Sequence, residues 1–164
     1  MGLAFVHRVL RLATAVCLAA CVRRAPSDLA TIPGVQVTAA VDQYRIGPDR
    51  SYVRAKATLI NRGADTARFA VGGCPLMLHA YAADERDRRS VWNSARLERP
   101  CFDIRLDYQL AAGDSAVIED SFSIDRITSS GLGLGQYAFT VSIRFSNPAP
   151  ASPEYPAGSL TISR

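Results

Sequence analysis

Stretch after stretch of this chain alternates apolar and polar side chains with a period of two. Val35, Val37, Ala39 and Val41 alternate with Gln36, Thr38, Ala40 and Asp42, and Val53, Ala55, Ala57 and Leu59 with Tyr52, Arg54, Lys56 and Thr58. Successive side chains of a strand point to opposite faces, so each stretch reads as a half-buried strand. The pattern recurs at 66–71, where Gly72-Gly73 is expected to stop the strand, and again at 76–82 and 90–92. It returns at 102–108, with Phe102, Ile104, Leu106 and Tyr108 set against Asp103, Arg105 and Asp107. The last three cases are 116–124, with Ile118, Phe122 and Ile124 as core residues, 137–145, and 159–163 with Leu160 and Ile162 on one face. Gly47-Pro48-Asp49, Asn61-Arg62-Gly63 and Ala112-Gly113-Asp114 supply turns between them. No amphipathic helical period stands out. The expected fold is all-β, an immunoglobulin-like antiparallel β-sandwich of about eight to nine strands.

The connections carry fewer signals. Asp84, Glu85 and Asp87 at a charged turn lack the spacing and the glycine of a calcium loop, and arginines compete for their carboxylates. Gly131, Gly133 and Gly135 precede a strand rather than a helix, so no phosphate-binding helix N-terminus follows them. The proline-rich stretch 146–158 reads as a stiff, extended loop, and Pro148, Pro150, Pro153, Tyr155 and Pro156 are its candidate binding residues. A second candidate loop is 94–100.

Ahead of the strands, Arg8 and Arg11 precede a short apolar run that ends at Leu18-Ala19-Ala20-Cys21. The run is too short to span a bilayer, which takes about 20 helical residues, and has the build of a signal peptide. Its end resembles the lipobox of bacterial lipoproteins. That resemblance implies cleavage after residue 20 and a lipidated Cys21 at the new N-terminus. The aperiodic Arg-, Pro- and Ser-containing stretch that follows reads as a tether, 21–33, and the length that remains, 34–164, suits one domain. Val22 stands where an aspartate would resemble an inner-membrane retention signal, which implies the outer membrane, facing the periplasm. Arg8 and Arg11 leave with the leader, so the mature chain keeps less than the +4 of the full sequence, too little to argue for nucleic acid.

The same cleavage sorts the cysteines. Cys17 leaves, Cys21 takes lipid, and Cys74 and Cys101 remain, most simply as a disulfide in an oxidising compartment. Zinc would lack ligands, because there is no Cys-x-x-Cys and His79 is the one histidine outside the leader. No cofactor is expected.

Four segments together resemble the intracellular proteinase inhibitor (BsuPI-like) family of immunoglobulin-like domains. They are Thr58-Leu59-Ile60-Asn61-Arg62-Gly63-Ala64-Asp65, Val91-Trp92, Leu110-Ala111-Ala112-Gly113-Asp114-Ser115 and Gly135-Gln136-Tyr137. The resemblance covers residues 35–145 and implies the fold; it carries no inhibitory site across. Trp92 is expected in the core, and Tyr137 at the start of a strand with its hydroxyl bonded to nearby backbone.

For function, His79 lies on an alternating strand with no evident nucleophile beside it, and Glu119 and Asp120, as strand neighbours, point to opposite faces. The chain is therefore expected not to be an enzyme. The leading expectation is a lipid-anchored envelope module that binds protein through end loops or a sheet edge. The alternative is a protease inhibitor using an end loop.

Overall fold

The computed structural model describes residues 32–83, 89–147 and 153–163. The leader, Cys21, the charged turn at 84–88, Pro148 and Pro150 lie outside the described residues. Ile32, at the end of the expected tether, is already buried in the core.

The domain is a β-sandwich of two antiparallel sheets packed face to face. Strands β1 (Val35–Ile46), β2 (Arg50–Asn61) and β6 (Ser115–Ser123) form a three-stranded sheet in the order β1-β2-β6. The second sheet has five strands: β4 (Trp92–Asn93), β3 (Ala67–Ala82), β7 (Gly135–Asn147) and β8 (Glu154–Ile162) in that order, with β5 (Arg105–Leu110) also paired to β3. Register follows the alternation: Val37, Val53, Leu59, Leu78, Val141 and Ile143 all face inward and are buried. Gly47, at a φ of 69°, turns β1 into β2 where the Gly-Pro-Asp signal predicted it. Trp92 is wholly buried, and its indole N–H donates to Ser130 Oγ at 2.8 Å.

Three sequence expectations change. Gly72-Gly73 does not stop a strand: β3 runs straight through it, and only the register with β7 slips between Ala70 and Leu76. Gly73 is needed for a close approach, because a Cβ there would stand 2.1 Å from the Phe102 carbonyl oxygen. A short helix, α1 (Ile124–Ser129), links β6 to β7 where none was expected, and drives Ile124 and Ile127 into the core. The proline-rich loop is shorter than 146–158, since β7 runs to Asn147 and β8 begins at Glu154.

Candidate functional site

The long strand β3 is unevenly covered along one edge. β5 pairs with its residues 67–72 and β4 with His79 and Ala80, so 73–78 meet no strand there among the described residues. Exposed or unpaired backbone groups at such a gap need other partners. Ser94 Oγ accepts from Leu78 N at 3.0 Å, and Arg99 donates through Nη2 to the Leu76 carbonyl at 3.3 Å. Asn93 caps the 3₁₀ turn Ser94–Arg96 by accepting from Ala95 N. The Cys74–Cys101 disulfide, with Cα atoms 5.2 Å apart, ties the far end of this loop to β3.

Arg99 also reaches across the open side of the sandwich. Its Nη1 lies 2.7 Å from Asp120 Oδ2 on β6, and its guanidinium sits 4.7 Å from the centre of the Phe122 ring. Glu119, the neighbour of Asp120, turns outward to Lys56 at 3.7 Å. The two carboxylates thus face opposite ways, as their adjacency on a strand requires. A groove of about 170 Å³ lies beside the disulfide, lined by Met77, Leu97, Arg99 and Arg144 among others. That is small against the roughly 300–1,000 Å³ of ligand pockets.

From Cys101 the chain turns outward. Phe102, Ile104 and Leu106 are 69%, 49% and 44% exposed, although their alternation is among the most regular in the sequence. Tyr108, next on the same face, stacks on buried Phe69 with ring centroids 5.0 Å apart. Leu106, opposite buried Val71 of β3, therefore lies on the inward face of β5. Phe102 and Ile104 precede that strand: it begins at Arg105 rather than at 102, because the chain makes a tight turn in which Ile104 N donates to the Phe102 carbonyl at 2.8 Å. On the outward face Arg105 Nε bonds Asp107 Oδ1 at 2.9 Å. Among the described residues no strand pairs with the outer edge of β5. Exposed apolar side chains beside a strand edge are features that proteins usually cover or break up with charge.

A second polar constellation stands on the outward face of β3, β7 and β8. His79 Nε2 lies 3.1 Å from Ser142 Oγ, and Nδ1 lies 3.6 Å from Glu154 Oε1. Thr140 donates to Glu154 Oε2 at 2.6 Å, and the Tyr81 hydroxyl donates to the same oxygen. The order hydroxyl, imidazole, carboxylate is that of a nucleophilic triad. Ser142 is only 3% exposed and sits within β7, paired on one side with β3 and on the other with β8, a poor position for attack on a substrate. What the cluster does is bind edge strand β8 across β7 to β3. Burial lowers His79 below its ordinary value, against the pull of Glu154. Burial alone would raise Glu154, but hydrogen bonds from Thr140 and Tyr81 and the His79 charge bring it below the usual carboxylate value. Tyr81 is pushed up to about 12, first by burial and then by Glu154. Sequence reading gave His79 no partners, because Ser142 and Glu154 come to it only through strand order.

The proline-loop residues are not brought together as a binding surface. Tyr155 is buried in the core and Pro156 pairs with Thr140 inside β8, which leaves Pro153 as the described residue of that set outside a strand. Tyr137 lies within β7, near its start; its ring meets Phe139 edge to face, and its hydroxyl lies beside Gly133. Among the described residues no three His, Cys, Asp or Glu side chains converge as metal ligands would. No protein-family model matches the chain, and no curated protein matches it in sequence.

Proposed function

We propose that this chain is a lipid-anchored module of the bacterial cell envelope that acts by binding protein along the open side of its sandwich. The observation that carries the binding part is the exposed trio Phe102, Ile104 and Leu106, at the start of β5, whose outer edge pairs with no strand among the described residues. Large side chains gain from leaving water at about 25 cal/mol per Å² buried, so exposed side chains held between a disulfide and a strand are a ready contact. The loop behind it is braced by the disulfide, Ser94 and Arg99, so little ordering entropy opposes docking. The anchoring part rests on Leu18-Ala19-Ala20-Cys21, and the same reading takes the domain as a relative of the BsuPI-like inhibitors without their activity.

The test places a photo-crosslinking side chain at Ile104, and as a control at Val117, an exposed position on the outer face of β6, in the full chain expressed in cells. Crosslinked protein at 104 and little at 117 is the expected result; equal or no crosslinking at both overturns the reading. Titration against serine and cysteine proteases addresses the inhibitor alternative: stoichiometric inhibition without cleavage would replace the binding-module reading.

A further inference from the structure

The Cys74–Cys101 disulfide is unevenly protected. Cys74 lies within β3 and is 8% exposed, whereas Cys101 is open to solvent. Both line the groove of about 170 Å³, together with Met77, Leu97, Arg99 and Arg144. Arg144 stands on β7 where its register slips past residues 72–75 of β3, and it is exposed. Unlike Arg99, it makes no hydrogen bond or ion pair among the described residues. An exposed disulfide is open to attack by a thiolate, and cations beside it favour both the incoming and the departing thiolate.

We infer that this disulfide is a thiol-exchange site for a small thiol that carries a carboxylate, with Cys101 Sγ as the atom attacked and Arg144 as the guiding charge. A thiolate entering the groove bonds to Cys101 Sγ as the Cys74–Cys101 bond breaks, and Cys74 leaves as a thiolate. A second thiolate takes the attached group off as an external disulfide and leaves Cys101 as a thiolate. Both protein thiolates take up protons from water. Two external thiols are thereby oxidised to one disulfide, and the protein disulfide is reduced by the same two electrons.

Opening the bond acts locally. β5 pairs with β3 only from Arg105, opposite Gly72, and Arg99 holds the Leu76 carbonyl. Between those two points the disulfide is the covalent tie of residues 100–104 to β3. Its loss frees Phe102 and Ile104 and leaves the bonds of Ser94 and Arg99 in place, so exchange regulates the exposed trio rather than the sandwich. This step rests on the reading of that trio as a protein contact.

The experiment incubates the full chain in detergent with glutathione, which carries a net negative charge, or with cysteamine, whose ammonium offsets its thiolate. Free thiols and mixed disulfides at Cys74 and Cys101 are followed in time by peptide mass. Glutathione should open the bond in the folded chain and be found on Cys101. Arg144→Glu should slow glutathione about threefold or more and leave cysteamine nearly unchanged. A bond that opens only in urea, glutathione found on Cys74, or equal slowing of both thiols overturns the inference. For the trio, the Ile104 photo-crosslinker is illuminated in cells before and after glutathione, while emission of the single, buried Trp92 in the purified chain reports on the core. Crosslinking should fall with the emission unchanged. Undiminished crosslinking, or an emission shifted to that of the urea-unfolded chain, overturns the regulatory step. If position 104 captures nothing even before glutathione, the protein-contact reading falls and its regulation with it, while the exchange site stands or falls on the Arg144 rates.

Discussion

Asn61 is wholly buried and every polar group of its side chain is used. Its Nδ2 donates to the carbonyls of Asp65 and Leu110 at 2.7 and 2.9 Å, and its Oδ1 accepts from Gly63 N at 2.9 Å. Its backbone meanwhile exchanges bonds with Gly113 and Asp114. Two of the four segments that resemble the inhibitor family therefore meet at one residue. Asn61→Ala should cost about 1–3 kcal/mol or more, the price of stranding a buried polar group, and a urea midpoint equal to the parent's would refute this hub. The sequence showed Asn61 only as turn punctuation, because Leu110 lies 49 positions away. His79 carries the acid response. With its folded value held below 6.5 by burial, the unfolded chain takes up the proton first, so stability is complete above about 6.5 and is lost as pH falls toward the lowered folded value. Glu154, also lowered, keeps its contribution above 4.5 and loses it as pH falls through its folded value. Replacing the imidazole in His79→Gln should flatten the stability profile as pH falls below about 6.5, leaving the carboxylate loss at lower pH. A profile as steep as the parent's would show that His79 titrates alike in both states.

At the scale of elements, the period-two pattern located the strands well and described their surroundings poorly. It placed Leu106 and Tyr108 on one face of β5, correctly, but carried the strand back through Phe102 and Ile104, where the chain turns instead. Gly72-Gly73 reads as a stop because glycine weakens strands, yet Gly73 is the residue that lets Phe102 approach β3. Helix α1 escaped notice because six residues show too little of a 3.6-residue period. The disulfide acts at this scale: it closes the loop between Cys74 and Cys101 over the uncovered part of β3. Loop-closure entropy sets its contribution at about 3–4 kcal/mol. Reduction should therefore lower the melting temperature by several degrees, and an unchanged melt would mean that Ser94 and Arg99 hold the loop unaided.

For the whole molecule, the unequal sheets matter most. On one side β1 lies close to β8, with Gln43 Nε2 donating to the Ser163 carbonyl at 3.2 Å. On the other, Arg99 links the Leu76 carbonyl of β3 to Asp120 of β6. Anchoring is tested at this scale too: Cys21→Ala should move the protein from the membrane to the soluble fraction, and undiminished membrane association would exclude the thiol as the anchor. Local pattern alone determined the all-β class, most strands, the turn at Gly47 and the Cys74–Cys101 pair, since each depends on alternation, turn chemistry or cysteine count. Tertiary structure decided the partners of His79 and Asn61, the burial of Tyr155, the continuity of β3 and the exposure of β5. These depend on which strands lie side by side and where a sheet ends, and residues far apart in the chain settle both.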